Sequence, residues 1–278
     1  MLLWLAACSV QAQDISLWDE SATKPGKEID QVKYEVVYTL EQVDDTARAH
    51  RSSFKEQMLL QVGTKCSAFF SYDTYQIDSM VAARMAQGDC NFQIPRQSKV
   101  RWSLFKNYPA AGSTTYLDRV ADAKYAVEEK MTLPRWQLVP DSSATLLGYA
   151  CHLAVATFRG RTWKAWYAED IPVDDGPWKL CGLPGLILKA ADSQGNFAFT
   201  AVGLQQVRTA KPMTYKGEAY TRIDRRSLNK IYKSYYADAI GYLLMSYPAD
   251  SRNSITITDG DGKPLKHSRP QAYSLIEP

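Results

Sequence analysis

Arginine and tryptophan side chains concentrate between residues 159 and 178 of the chain. They are Arg159, Arg161, Trp163, Trp166 and Trp178. Guanidinium groups pair with anions, and aromatic rings bury a large area at low entropic cost, so such clusters are typical of recognition surfaces. The same side chains are equally typical of a well-packed sheet. We therefore take Arg159, Arg161, Trp166 and Trp178 as candidate binding residues and keep core packing as the alternative.

The common catalytic motifs are absent from the sequence. It contains no Gly-x-Ser-x-Gly, no HExxH, no Walker loop and no dinucleotide fingerprint. His50, His152 and His267 are scattered, and a lone histidine is more often structural than catalytic. Asp174 and Asp175 are adjacent, and neighbours in a strand point to opposite faces, so they are poor candidates for a carboxylate pair. We predict no catalytic residue and no cofactor.

Four cysteines lie beyond the N-terminal segment: Cys66, Cys90, Cys151 and Cys181. An even number suits an oxidising compartment, in which each of two bridges would stabilise the fold by about 3 kcal/mol. We predict the disulfides Cys66–Cys90 and Cys151–Cys181. The alternative, a metal site of Cys151, His152 and Cys181, lacks the CxxC or HxxxH spacing of such sites, so no metal ligand is predicted.

Glycine and proline are interleaved with large apolar residues in the stretch GPWKLCGLPGLIL, residues 176–188. Surface turns usually carry Asn, Asp and Ser, so this backbone is expected to pack onto the protein or onto a partner. Pro184 at i+1 and Gly185 at i+2 predict a type II turn, followed by a buried strand over residues 186–188. The residues with predicted structural turn roles are Gly160, Gly176, Pro177, Gly182, Pro184 and Gly185.

Apolar and polar residues alternate with period two along much of the chain, which predicts half-buried strands. The clearest case lies between Gln31 and Glu41. Shorter runs of the same kind occupy residues 58–62, 100–104, 163–167, 197–201 and 255–257.

Turns and helices complete the predicted elements. Residues 158–162 predict a tight hairpin in which Gly160 supplies a positive φ. One helix is predicted over residues 75–87, with Gly88 after its end, and a second over residues 227–247. The predicted fold is mainly β (α+β): a curved antiparallel sheet or meander, with a half-barrel as one form of it, and two flanking helices.

Length and composition are those of an ordinary globular protein. The chain has 278 residues, of which 45% are hydrophobic and 23% charged, and we predict one domain. Its 33 basic and 30 acidic residues give a net charge of +3 without long runs of either sign. Nucleic acid is therefore not an expected partner.

The first twelve residues, MLLWLAACSVQA, are apolar and small. They predict a signal peptide, shortened at its start because a basic n-region is missing, and an exported mature chain that begins at Gln13 after cleavage at Ala12. A short buried strand is one alternative. A lipobox, in which a lipidated Cys8 anchors the protein to a membrane, is another. No other segment approaches the roughly 20 apolar residues that span a bilayer, so no transmembrane segment is predicted.

The residues Gly182-Leu183-Pro184-Gly185-Leu186-Ile187 are identical to the signature of the GLPGLI family of exported bacterial proteins. Further short motifs lie upstream of it, within residues 148–179, in the order that such proteins show: GYAC, FRGR, AWY, DIP and GPWK. The chain resembles a member of this family over residues 28–278, as a single β-rich domain. The resemblance implies export to the periplasm or cell envelope. It implies no catalytic residues, because the family has no settled biochemical function.

These observations favour a non-catalytic binding or assembly factor of the cell envelope. Its partner would be an envelope protein, a peptide or an apolar ligand, held by a curved sheet with a helix across its mouth. The alternative is an envelope hydrolase with an unrecognised carboxylate or metal site. Two converging acids in a pocket, or His152 beside acids, would favour that alternative.

Overall fold

The computed structural model of the protein describes residues 26–47, 49, 51–89, 98–252, 255–259 and 261–278. The predicted signal peptide, its cleavage site, the lipobox cysteine Cys8 and the thiol of Cys90 lie outside the described residues. Within the described ranges, no helix has both the length and the apolar character needed to cross a membrane.

Strands account for most of the regular structure. In chain order they are β1 (Lys27–Gln31), β2 (Tyr34–Asp45), β3 (Ser52–Val62), β4 (Ser67–Ser71), β5 (Ser103–Lys106), β6 (Ser113–Val120), β7 (Ala123–Lys130), β8 (Gln137–Leu146), β9 (Tyr149–Phe158), β10 (Arg161–Ala168), β11 (Leu186–Asp192), β12 (Phe197–Gln206), β13 (Pro212–Tyr215), β14 (Thr221–Arg222), β15 (Ile257–Thr258) and β16 (Pro264–Leu265). The helices are α1 (Tyr72–Ala86), α2 (Arg225–Ala237), α3 (Ala239–Ser246) and α4 (Ala249–Arg252).

One twelve-stranded sheet contains both halves of the chain. Strands β2 to β7 form one antiparallel meander, β8 to β12 form another, and the two join where β12 pairs with β2. The prediction of a mainly β fold is confirmed. The sheet is mixed rather than wholly antiparallel, because β14 pairs in parallel with β7. Two small sheets, β1 with β13 and β15 with β16, lie outside it.

Strand β2 shows why the sequence forms this sheet. Val36, Tyr38 and Leu40 lie on one face and are fully buried, as their period-two spacing predicts. The predicted strand between Gln31 and Glu41 is observed as β1 and β2, with a two-residue break between them. Because β2 has neighbours on both sides, its apolar face becomes the centre of the main core.

The sheet is strongly curved toward this apolar face. Phe69 on β4 and Phe199 on β12 are separated by two intervening strands, which would place them about 14 Å apart on a flat sheet with roughly 4.8 Å between strands. Their ring centroids are only 5.8 Å apart. The described strands do not close into a barrel, since β8 and β14 form its two edges.

The protein itself fills the concave face. The loop between β10 and β11 contributes Trp178, Leu180 and Leu183 to the core, and α2 contributes Leu228 and Tyr232. The space that the sequence suggested for an apolar ligand is therefore largely occupied by the protein's own side chains. A binding function has to be sought at the ends and edges of the sheet.

The helices agree with the sequence in part. Helix α1 begins three residues earlier than predicted, because the Oγ of Ser71 accepts a hydrogen bond from the N–H of Thr74 at 3.1 Å and caps the helix. The predicted helix over residues 227–247 is two helices. Asp238 separates them: its φ is −159°, and its side chain accepts a hydrogen bond from the N–H of Gly241 at 2.9 Å, so it caps α3.

Candidate binding site

A tight hairpin brings the two predicted arginines to one end of the sheet. Strands β9 and β10 are joined by Arg159 and Gly160, whose φ angles are +49° and +75°. Two consecutive positive φ values are typical of the type I′ turn that fits the twist of a hairpin. The positive φ predicted for Gly160 is observed. A side chain there would also collide with Pro278, whose Cγ would lie 2.8 Å from an added Cβ.

The loop after β10 is held down by a buried lysine. Lys106 on β5 forms an ion pair with Asp175 and donates a hydrogen bond to the carbonyl of Gly176 at 2.7 Å. Gly176 lies so close to β11 that an added Cβ would be 2.8 Å from the Cβ of Ile187. The carbonyl of Pro177 accepts a hydrogen bond from the N–H of Leu180 at 3.1 Å. The loop around Asp175 is thus anchored by a buried ion pair.

The turn within the signature differs from the predicted type II turn. The N–H of Gly185 donates to the carbonyl of Leu183 at 2.8 Å, which makes a three-residue γ-turn around Pro184. The N–H of Leu186, which would close a type II turn, donates instead to Ile171 at 3.2 Å. Residues 186–188 then enter the buried strand β11, as predicted.

Two glycines of the signature have positive φ, +81° at Gly182 and +148° at Gly185. Gly185 also lies against the backbone of the preceding strand. An added Cβ would be 2.6 Å from the carbonyl carbon of Ala168 and 2.9 Å from the Cα of Glu169, and closer still to the carbonyl oxygen of Ala168. The signature therefore needs glycine at this position for both conformation and space.

The predicted binding tryptophans do not form a surface together. Trp178 is fully buried, and its ring centroid lies 5.5 Å from that of Trp163 and 5.9 Å from that of Phe158. Trp166 is half-buried and lies on the other face of β10. For Trp178 the structure therefore supports the core-packing alternative, because the loop folds inward and not onto a partner.

Arg161 is also buried, and it binds another part of the chain. One guanidinium nitrogen pairs with Asp192 at 2.6 Å, and the other donates to the Oγ of Ser274 at 2.6 Å. Its Nε donates to the carbonyl of Ile276 at 3.2 Å. The guanidinium lies 4.6 Å from the ring centroid of Phe197. The arginine therefore recognises a peptide segment, although that segment belongs to the same chain.

Next to Arg161 lies a group of ionised side chains, which we call the Lys179 cluster: Glu129, Arg159, Lys179, Arg225 and Glu277. The Nζ of Lys179 pairs with Glu277 at 2.7 Å and also with Glu129. Arg159 pairs with Glu277 at 2.8 Å, and the Nε of Arg225 lies 3.6 Å from the same carboxylate. Of these five residues, the sequence analysis had named only Arg159 as a binding candidate, because the five come from five separate parts of the chain.

The charges of the Lys179 cluster do not balance, because three cations face two carboxylates. Burial raises the pKa of Glu129, but Lys179, Arg225 and Arg159 outweigh it, so this pKa lies below its ordinary value. Burial and the neighbouring Arg225 together lower the pKa of Lys179, although Glu277 and Glu129 act in the opposite direction. Three buried nitrogen atoms of the cluster form no hydrogen bond in the described structure: Arg159 Nε and Arg225 Nε and Nη2.

A second acidic site lies deeper in the core. Asp118 accepts hydrogen bonds from the hydroxyl of Tyr116 at 3.3 Å and from that of Tyr232. Burial raises the pKa of Asp118 to about 6, although the tyrosine hydroxyls and Arg225 act in the opposite direction. Aromatic side chains of β6 and α2 enclose this carboxyl group, so it is not positioned to meet a solvent-borne substrate.

The predicted disulfide between Cys151 and Cys181 is wrong, because both thiols are free. Each sulfur lies near a local carbonyl oxygen, that of Tyr149 for Cys151 and that of Lys179 for Cys181. Cys66 is also free, and its predicted partner lies outside the described residues. An even count of cysteines carries no information on whether two sulfurs meet.

Histidines and metal ligands do not converge in the described ranges. His152 is exposed on β9, and His267 pairs with Asp238 at 2.5 Å on the surface. No group of three or more His, Cys, Asp or Glu side chains in the described part of the chain could hold a metal ion.

The match to one protein family covers part of this site, including Arg159, Arg161 and Lys179. A family model described as "Protein of unknown function (Porph_ging)" matches residues 156–189, which contain the β9–β10 hairpin, the loop and the signature. No curated protein is significantly similar in sequence to the chain. The resemblance to the GLPGLI family remains an expectation, and the chain is similar over this segment to a family of unknown function.

The structure partly matches two crystal structures of PNGF-II. The match to the P21 crystal form has a TM-score of 0.46 and 14% sequence identity, and it covers 72% of this chain. The match to the C2 crystal form has a TM-score of 0.46 and 16% sequence identity, and it covers 73% of this chain. The chain spans 33% of the length of each of them. At these values the likeness does not define a shared function.

Proposed function

We propose that the protein is a non-catalytic binding or assembly factor of the cell envelope that binds an extended, carboxylate-bearing segment at the Lys179 cluster. The observation that carries this proposal is the way in which the site holds Glu277. Lys179, Arg159 and Arg225 surround that carboxylate, and the buried Arg161 binds the backbone next to it. Charge-assisted donors of this kind recognise carboxylates and peptide carbonyls.

The ionisation of the cluster supports binding rather than catalysis. Glu129 and Glu277 both pair with Lys179, and the pKa of Glu129 is lowered, so its carboxyl group stays ionised at neutral pH. A hydrolase that uses two carboxyl groups needs one of them protonated. No group in the cluster is placed to donate a proton in that way.

The hydrolase alternative has one observation in its favour, the raised pKa of Asp118. A carboxyl group with a pKa near 6 could act as an acid at neutral pH. However, tyrosine hydroxyls satisfy its oxygens, and the side chains around it are aromatic. Binding at the Lys179 cluster therefore remains the preferred function.

Export is part of the proposal and rests on the sequence. The apolar N-terminal residues 1–12 and the resemblance to an exported family support it. A periplasmic or envelope location would supply partners with extended segments. A lipid anchor at Cys8 is the alternative for the same compartment.

Site-specific photo-crosslinking in the native envelope tests this function. Leu133 is 57% exposed and lies beside the site, because Arg159 donates to the neighbouring Thr132 at 3.0 Å. A photoreactive amino acid in place of Leu133 should form adducts with an envelope protein. The matched control is the same substitution at Val202, which is 48% exposed on β12.

Two results would contradict the proposal. One is a yield of adducts at Leu133 no higher than at Val202. The other is hydrolysis of purified envelope material by the protein that Asp118→Asn abolishes, which would establish the alternative.

A further inference from the structure

Residues 274–278 cross the tip of the β9–β10 hairpin without joining the sheet. No backbone group of this segment forms a hydrogen bond with a backbone group elsewhere in the described structure. Arg161 holds it instead, through the hydroxyl of Ser274 and the carbonyl groups of Leu275 and Ile276. In this respect the segment resembles a bound peptide more than an element of the fold.

Helix α2 and the core hold the rest of the segment. The side-chain amide of Asn229 donates to the carbonyl of Glu277 at 3.2 Å. Leu275 and Ile276 are half-buried and pack against the main core. The contacts therefore select two apolar side chains followed by an acidic one.

Arg161, which donates three hydrogen bonds to the segment, is also held by residues outside it. Arg161 pairs with Asp192 at 2.6 Å, and Asp192 in turn accepts hydrogen bonds from the N–H groups of Asn196 and Phe197, both at 2.8 Å. Because these partners belong to β11, β12 and the turn between them, the guanidinium keeps its orientation when the segment leaves. Preorganised donors of this kind favour rebinding of a ligand.

Charge gives the site its preference for an acid. Without Glu277, the three cations of the Lys179 cluster would face Glu129 alone, and the side chain of Lys179 is only 3% exposed. Buried positive charge in excess is unfavourable, so a carboxylate from another molecule would be attracted to this position.

The chain's own segment does not use the site fully. Arg159 Nε and Arg225 Nε and Nη2 are buried donors that form no hydrogen bond in the described structure, although Arg225 lies 3.6 Å from Glu277 and 3.8 Å from Glu129. Unsatisfied buried polar groups weaken binding. A foreign segment with better-placed oxygens could therefore displace residues 274–278.

We infer that Arg159, Arg161, Lys179, Arg225 and Asn229 form a groove for an extended peptide with two apolar residues followed by an acidic residue, and that residues 274–278 occupy it as a tethered competitor. The inference rests on the proposed function and specifies its ligand as such a segment of an envelope protein. Displacement of the tethered residues then controls access to the groove.

Peptide binding to a shortened chain tests the inference. A chain that stops after Tyr273 should bind the fluorescent peptide Ser-Leu-Ile-Glu-Pro saturably in an anisotropy titration. The matched peptide with Gln in place of Glu should bind at least tenfold more weakly. The whole chain should also bind the first peptide at least tenfold more weakly, because its own residues compete.

A folded shortened chain that binds neither peptide, or both equally, would overturn the inference. If the shortened chain does not fold alone, the peptide is added during refolding and native tryptophan fluorescence is measured. Recovery of that fluorescence with the Glu peptide, and not with the Gln peptide, supports an exchangeable ligand. No recovery at saturating peptide would mean that the segment is an integral part of the fold, and the inference would be wrong.

The two proposals can fail separately. Peptide binding without adducts at Leu133 would support the peptide-binding groove and contradict the proposed envelope function. Adducts at Leu133 without peptide binding would support the proposed envelope function and contradict the inference that residues 274–278 act as a tethered competitor.

Discussion

The signature turn allows a sharp test, the substitution Gly185→Ala. Its φ of +148° is unfavourable for alanine and costs about 1–3 kcal/mol in strain. The new Cβ would also lie 2.6 Å from the carbonyl carbon of Ala168 and 2.9 Å from the Cα of Glu169. These neighbours are backbone atoms that cannot rotate away, which adds about 1–3 kcal/mol of overpacking. We expect a total loss of about 4 kcal/mol in the free energy of unfolding, the middle of the sum of the two terms.

The measurement is urea denaturation and a thermal melt followed by tryptophan fluorescence, which reports on the fully buried Trp178 in the same loop. A loss of this size should lower the Tm by roughly 10 °C in a protein of this length. Two control substitutions separate the effect of backbone strain from that of overpacking. Gly195→Ala has a φ of +66° but no neighbour within 4 Å, so it should cost only about 1 kcal/mol.

Gly203→Ala is the second control, because its φ is ordinary and its nearest contact, the Cβ of Val37, lies at 3.9 Å. It should leave the stability unchanged or slightly higher. If Gly185→Ala melted like the parent protein, the steric argument would be refuted. The signature would then have to be explained by recognition of a partner.

Three further predictions follow from buried groups. Lys106→Met should lower the free energy of unfolding by about 3–5 kcal/mol in urea denaturation, because it leaves Asp175 buried without its cation. The double variant Lys106→Met/Asp175→Ala should recover part of this loss. The pKa of Asp118 is higher in the folded chain, about 6, than its ordinary 3.8, so its contribution to stability is complete below pH 4 and is lost as the pH rises through 6. Between pH 4 and pH 8 the free energy of unfolding of Asp118→Asn should therefore rise by about 3 kcal/mol relative to that of the parent protein. Curves of stability against pH that run parallel for the two proteins would contradict this. Burial raises the pKa of Cys181 to about 11, so Cys181 and Cys151 should resist thiol reagents in the native state. Both should react with the reagent in denaturant without any reductant. A disulfide between them would prevent that reaction in denaturant.

The sequence by itself determined the features that depend on neighbouring residues. The alternation in β2 predicted which side chains would be buried, because successive residues of a strand point to opposite faces. The turn at Gly160 and the strand after the signature were also predictable, since glycine conformation and apolar runs are local properties.

Only the tertiary structure decided which distant residues meet. Lys106 pairs with a residue 69 positions away, and Lys179 with one 98 positions away, because the curved sheet brings the ends of separate strands together. The turn at Pro184 tightened because Ile171, from another part of the loop, accepted the hydrogen bond that a type II turn requires. Trp178 entered the core for a related reason: a loop has no periodic pattern to indicate which side faces inward. Charge pairing and loop packing depend on the approach of segments through space, and this information is not contained in the local order of residues.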